Sequence, residues 1–228
     1  GSLLSLVNCT VSGNSTDGTG GGICVDASAT LTIDGSTLTG NYAGDYGGSI
    51  ANGGTLIINN STLNGNRGEF TGGAILNGFN GDASLILRNS TLSGNTTQLH
   101  GGGIFNGGQS AISNSTLSGN SGMTAGAVLN RLGTLDIEST VLNRGELGPN
   151  ILNDSGTITS HGYNLSSDDG GNVLNGPGDQ INTNPLLGPL QNNGGPTFTH
   201  QLLPGSPAID AGDPNFTPPP FYDQRGPG

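Results

Sequence analysis

The heptapeptide NSTLSGN occurs twice, at Asn89–Asn95 and Asn114–Asn120, with GSTLTGN at Gly35–Asn41 and NSTLNGN at Asn60–Asn66. The core of the repeat, T-L/V-x-G-N, also stands at Thr10–Asn14, and a degraded copy follows at Ser139–Arg144. A second signature, G-G-x-I, lies between these copies and places Ile23, Ile50, Ile75 and Ile104 one period apart, with weaker copies ending in Val128 and Ile151. A third is a short alternating run: Leu4/Leu6, Leu31/Ile33, Leu56/Ile58, Leu85/Leu87 and Leu135/Ile137. The period is 23 to 29 residues. Alternation is common and the i, i+3, i+4 pattern of a helix is absent, so each repeat reads as three short strands separated by Gly and Asn.

One such unit cannot bury its own apolar face. Stacked units can, strand upon strand. The expected fold is all-β: a right-handed parallel β-helix with three short strands per coil and about six to seven coils. Parity puts three apolar walls inside. The first holds Leu31–Leu56–Leu85 and Ile33–Ile58–Leu87. The second holds Leu38, Leu63, Leu92 and Leu117. The third is the row from Ile23 to Ile151. Coordinates with the Leu38 row out of line or facing solvent would refute this winding.

Two Asn rows fall in step with the walls: Asn52, Asn77, Asn106, Asn130 and Asn153, and Asn14, Asn41, Asn66, Asn95 and Asn120. Stacked amides can bond coil to coil, and Gly-Asn suits a tight corner. Cys9 aligns with Ser36, Ser61, Ser90 and Ser115 at inward parity, whereas Cys24 should face out, so a disulfide between them is not expected. Insertions cluster at GFNGDAS (Gly78–Ser84) and, after the Gly-Asn corner, at Tyr42–Tyr46 and Arg67–Phe70, where loops should emerge.

Composition limits the function. The 44 glycines and 12 prolines are about a quarter of 228 residues, and 16 acids face 5 arginines and no lysine, a formal net charge of −11. Nucleic acid and anionic membranes are poor partners for such a chain, and no apolar stretch is long enough to insert in a bilayer. The chain opens without Met and reads as a processed or excised piece.

From about Asn184 the repeat gives way to Pro-rich sequence, so residues 1–179 read as the solenoid and 180–228 as a loop-rich segment packed on it that caps or extends one end. Ser160–Gly171 (SHGYNLSSDDGG), Asn184–Asp213 (NPLLGPLQNNGGPTFTHQLLPGSPAIDAGD) and DQRG (Asp223–Gly226) together resemble the choice-of-anchor Q family of bacterial surface proteins. The upstream repeats are similar to those of polymorphic outer-membrane proteins, with Leu or Val where Phe is usual. Both resemblances imply a secreted, surface-displayed parallel β-helix at the bacterial cell surface, and neither implies an activity.

Candidate chemistry is thin. No catalytic constellation stands out: Asp168–Asp169 is the one acidic pair, His100, His161 and His200 are scattered, and so are Arg67, Arg88, Arg131, Arg144 and Arg225. No cofactor is expected beyond calcium, for which Asp168, Asp169 and Asp45 are weak candidates. Arg225 and Asp223 should pin the tail as an ion pair. Asn8, Asn60, Asn89 and Asn114 sit in N-x-S/T triplets and are glycosylation candidates. Thr10, Thr37, Thr62, Thr91 and Thr116, with a second polar row two residues on, form an outward face that an ice-binding solenoid could use. Ordinary strand propensity is the favoured explanation, and Asn64 in the second row weakens the ice reading. The expected role is a non-catalytic extracellular structural protein, an adhesin or stalk module, or a fibre subunit self-associating head to tail through an uncovered first coil. The alternatives are polysaccharide binding or cleavage along a groove, and ice binding.

Overall fold

The structure is a computed structural model and describes residues 1–78, 82–218 and 222–226. Phe79, Asn80 and Gly81, in the insertion expected at 78–84, lie outside the described residues. The chain winds into a parallel β-helix with three main strands per turn. Seven strands form the first sheet, from Leu3–Val7 through Ser84–Arg88 to Thr157–Gly162. Seven form the second, from Thr10–Ser12 through Thr91–Ser93 to Leu165–Ser166. Six form the third, from Ile23–Val25 to Ile151–Asp154. That makes six complete turns and the start of a seventh.

Register follows the sequence rows. Leu38 pairs with Leu63, Leu63 with Leu92, Leu92 with Leu117, and Leu117 with Leu142. All five are fully buried. The Ile23–Ile50–Ile75–Ile104–Val128–Ile151 row is continuous. So is the first sheet's pair of rows, with one polar member. Ser110 stands in line between Leu85 and Leu135. Its hydroxyl donates to Asn106 Oδ1 at 2.8 Å and accepts from Asn77 Nδ2 at 3.1 Å. Identical side chains about 4.8 Å apart keep close contact along the whole stack, which makes the core a column.

Both Asn rows are ladders. Asn14, Asn41, Asn66 and Asn95 each donate Nδ2 to Oδ1 of the Asn one turn on, every step 2.9 Å. The row from Asn52 to Asn153 does the same at 2.7–2.9 Å. A third ladder runs through the Ser row. Ser36, Ser61, Ser90 and Ser115 each accept a backbone N–H from the preceding turn, beginning with that of Cys9. Each hydroxyl donates to the carbonyl two residues back. Cys9 and Cys24 are free thiols, and Cys24 is exposed.

The G-G signature has two physical causes. Gly47, Gly72 and Gly101 have φ of +66°, +63° and +65°, a conformation that favours glycine. A Cβ on the following Gly48 or Gly73 would strike the carbonyl of the matching glycine one turn on.

Three features depart from the sequence expectations. The segments expected as loops after the Gly-Asn corner instead form a narrow fourth parallel ladder of two-residue strands: Ser15–Thr16, Tyr42–Ala43, Arg67–Gly68 and Thr96–Thr97. The outer face of the third sheet carries a second apolar cluster of Ala51, Leu76, Phe105, Ala125 and Leu129, with Tyr46 packed on it. The far end is closed by residues 167–183, not by the Pro-rich tail. A 3-10 turn at Gly170–Asn172 lies against the last strand of the third sheet, and Leu174 covers the core. Interturn pairing persists to Thr183, whose N–H reaches Ser166 O at 2.9 Å. From about residue 184 the chain turns back along the flank as a strap, bearing an antiparallel pair of strands, Leu187–Gln191 and Thr199–Leu202.

Candidate functional site: the cleft beside the C-terminal strap

The strap docks on the second sheet, across the face where T-x-S/T/N residues point outward. Thr62 donates its hydroxyl to Phe198 O at 2.6 Å. Thr91 donates to Gln224 Oε1 at 2.7 Å, and Gln224 Nε2 donates to Thr62 Oγ1 and Thr197 Oγ1, both at 2.8 Å. Thr62 and Thr91 are consequently 1% and 2% exposed. This overturns the expectation of a flat, exposed threonine face, because its central turns are covered. The Asp223–Arg225 ion pair forms but is exposed and spans only two residues. It shapes the turn, while Gln224 between them is the pin.

His200, in the strap's strand Thr199–Leu202, meets the second sheet. Its Nδ1 donates to Gly188 O at 2.7 Å, leaving Nε2 to accept the Ser93 hydroxyl at 3.0 Å. Burial holds its pKa below the ordinary histidine range. His100 is held low by burial and then by Arg131, and pairs with Thr124 at 2.9 Å. His161 meets Asp136 at 3.1 Å on the surface. The three histidines are not brought together.

The carboxylates are struts. Asp168 accepts Asn150 N at 2.7 Å, Ser166 Oγ at 2.7 Å, Gly170 N at 3.0 Å and Asn150 Nδ2 at 3.1 Å. Its burial alone would raise the carboxyl pKa, but these donors outweigh it and hold it below the usual range. Asp169 caps the 3-10 turn through Gly171 N at 2.9 Å. Asp179, not singled out by the sequence, accepts Asn164 N, Asn164 Nδ2 and Gly176 N and so ties the last turn to the closing segment. With Asp168 and Asp169 engaged this way, their oxygens are turned to N–H and O–H donors and do not form a cation cage. Among the described residues no group of three or more His, Cys, Asp or Glu could hold a metal ion, and Asp45 stands without such a group. No helix among them is long and apolar enough to cross a membrane.

The corner between the first and second sheets is the row Asn8, Gly35, Asn60, Asn89, Asn114 and Ser139, all at positive φ between 46° and 55°. This left-handed corner is the local reason for Asn at the four glycosylation candidates. They are not equivalent. Asn60 Nδ2 reaches Asp34 Oδ1 at 2.8 Å, and Asn89 Nδ2 reaches Asn60 Oδ1 at 2.6 Å and Tyr222 O at 3.3 Å. Asn89 is buried beneath the strap, which removes it as an acceptor of sugar in the folded chain. Asn8 is exposed, and Asn60 and Asn114 are half-buried.

Between this corner and the strap runs a cleft of three adjoining cavities of about 680, 350 and 1050 Å³. Asn114 and Phe216 line all three. Compared with known proteins, the chain matches no family model, no curated protein and no solved structure.

Proposed function

We propose that this chain is a non-catalytic structural module of an extracellular bacterial surface protein, a rigid segment of an adhesin or stalk. One observation carries the proposal: the side chains best suited to chemistry serve as fasteners of the fold. Asp168 and Asp179 close the last turn, and His200 and Gln224 hold the strap. Asp168, His200 and Gln224 lie in the SHGYNLSSDDGG, NNGGPTFTH and DQRG stretches that carry the resemblance to choice-of-anchor Q proteins. The ladders add stiffness, because each turn is bonded to the next by amides as well as by backbone.

The first turn presents Leu3, Leu4 and Val7 to solvent, with Leu3 83% exposed. A head-to-tail fibre would bury them against the far end, and residues 167–183 cover that end. The single-module version is therefore favoured over the fibre.

Two measurements test the proposal. The purified chain, incubated with pectin, polygalacturonate and neutral glucans with and without calcium, should release no reducing ends or unsaturated products. An antibody to the chain should label intact cells of the source bacterium. Product release, or labelling only after lysis, would overturn it.

A further inference from the structure

We propose that the cleft beside the strap binds an extended, uncharged glycan strand, with Asn114 and Phe216 at its centre. This goes beyond a structural role for the stack, which would stand if the cleft bound nothing.

The first support is an open amide. Along the corner, Asn60 and Asn89 have their Nδ2 groups engaged. The chain of amides stops there. Asn114, next in the row and half-buried, makes no side-chain hydrogen bond among the described residues, and the following turn supplies only the shorter Ser139. A side-chain amide offers two donors and an acceptor at one point, the pattern that adjacent sugar hydroxyls complement.

The second support is apolar and separate from the first. Phe216 and Tyr222 are 44% and 58% exposed and line the same cavities. Exposed rings beside convergent polar groups make a binding surface for a ligand with one apolar face and a hydroxylated rim, as a pyranose has.

The walls also carry unpaired charge. Arg88 and Glu138 occupy corresponding positions two turns apart in the first sheet and have no ion-pair partner among the described residues. Both can hydrogen-bond to hydroxyls. Four acids line the cleft, Asp34, Glu138, Asp213 and Asp223, against Arg88 and Arg225, and the chain carries −11. That balance disfavours uronate, sialylated or sulfated chains and favours neutral ones.

Length follows from topology. The cavities reach from Asn8 and Asp34 on the first two turns to Tyr163 on the seventh and Gln180 just beyond it. At about 4.8 Å per turn the cleft accommodates several sugar units in a line. Its walls are side chains in place of a free strand edge, so a peptide adding on as a further strand has no backbone to pair with.

The test is affinity electrophoresis and saturation-transfer NMR of the full chain with cellohexaose, mannohexaose, chitohexaose and oligogalacturonate. At least one neutral oligomer should bind, with little dependence on salt. Asn114→Ala and Phe216→Ala should each weaken that binding about five- to tenfold with the thermal melt unchanged. Phe70→Ala, on a different corner, should bind as the unaltered chain does. Absence of binding to every neutral oligomer, binding indifferent to both cleft variants, or preference for oligogalacturonate would each overturn the proposal.

Discussion

The hydroxyl of Thr91 donates to Oε1 of Gln224 at 2.7 Å, joining the fourth turn of the stack to the strap across 133 positions of chain. Gln224 is 7% exposed and also serves Thr62 and Thr197. Gln224→Ala leaves these hydroxyls without that partner, at about 1–3 kcal/mol for each group left unsatisfied. The expected result is selective: limited proteolysis should cut within residues 184–226 while the solenoid's circular dichroism stays the same. A strap as resistant as the original would show that Gln224 is not the pin.

His200 gives the strap a pH dependence. Burial favours its neutral form, so the folded-state pKa lies below the unfolded one. Its contribution is therefore fully present above the ordinary histidine value of about 6.5 and declines as pH falls below it. Hydrogen exchange in the Thr199–Leu202 strand should quicken through that window. His200→Gln should flatten the response. Asp223, held low by the Arg225 guanidinium, titrates in a separate and more acidic window.

Position in the ladder should set the effect of losing an amide. Asn106, itself fully buried, accepts from Asn77 and Ser110 and donates to Asn130 and Thr134 O. Asn153 ends its row and donates to Gly156 O. Asn106→Ala should destabilise by about 2–4 kcal/mol and Asn153→Ala by about 1 kcal/mol, read by denaturant unfolding. Equal effects would mean that the amides do not act through the stack.

Asp168 separates a strut from a metal ligand. Asp168→Asn turns one of the two accepting oxygens into an amide donor, set against either Asn150 N or the Ser166 Oγ and Gly170 N pair, and should lower stability by about 1–3 kcal/mol. Calcium at millimolar concentration should leave the melting temperature of the unaltered chain where it is. A calcium-dependent rise abolished in the variant would favour the metal reading over the strut.

The three sheets were legible because each is built from like residues recurring at one period, and a one-residue slip would turn every Leu of the Leu38 row to solvent. The Asn ladders were legible for the same reason. Ser110 was not, because a serine in a leucine row has meaning only once Asn77 and Asn106 are seen beside it. Neither was the narrow fourth ladder: among Ser-Thr, Tyr-Ala, Arg-Gly and Thr-Thr no side-chain type runs through all four turns, and the alignment is that of the backbone pairing. The cleft was hidden too. The strap has no period, and its place on the threonine face depends on matching hydroxyls to Phe198 O, Gln224 and His200, which residue spacing does not encode.

The strap also gauges the number of turns. It leaves the far end just after Gln180 bridges to Leu165 of the seventh turn, and is anchored on the third and fourth turns where Phe198 and Gln224 meet Thr62 and Thr91. A duplicated coil inserted between those anchors would keep every Leu over Leu and every Asn over Asn. It would also move the anchors apart by about 4.8 Å against a tether of unchanged length. In a solenoid whose repeats could multiply without penalty to the core, the tether gives this end of the molecule a preferred coil count.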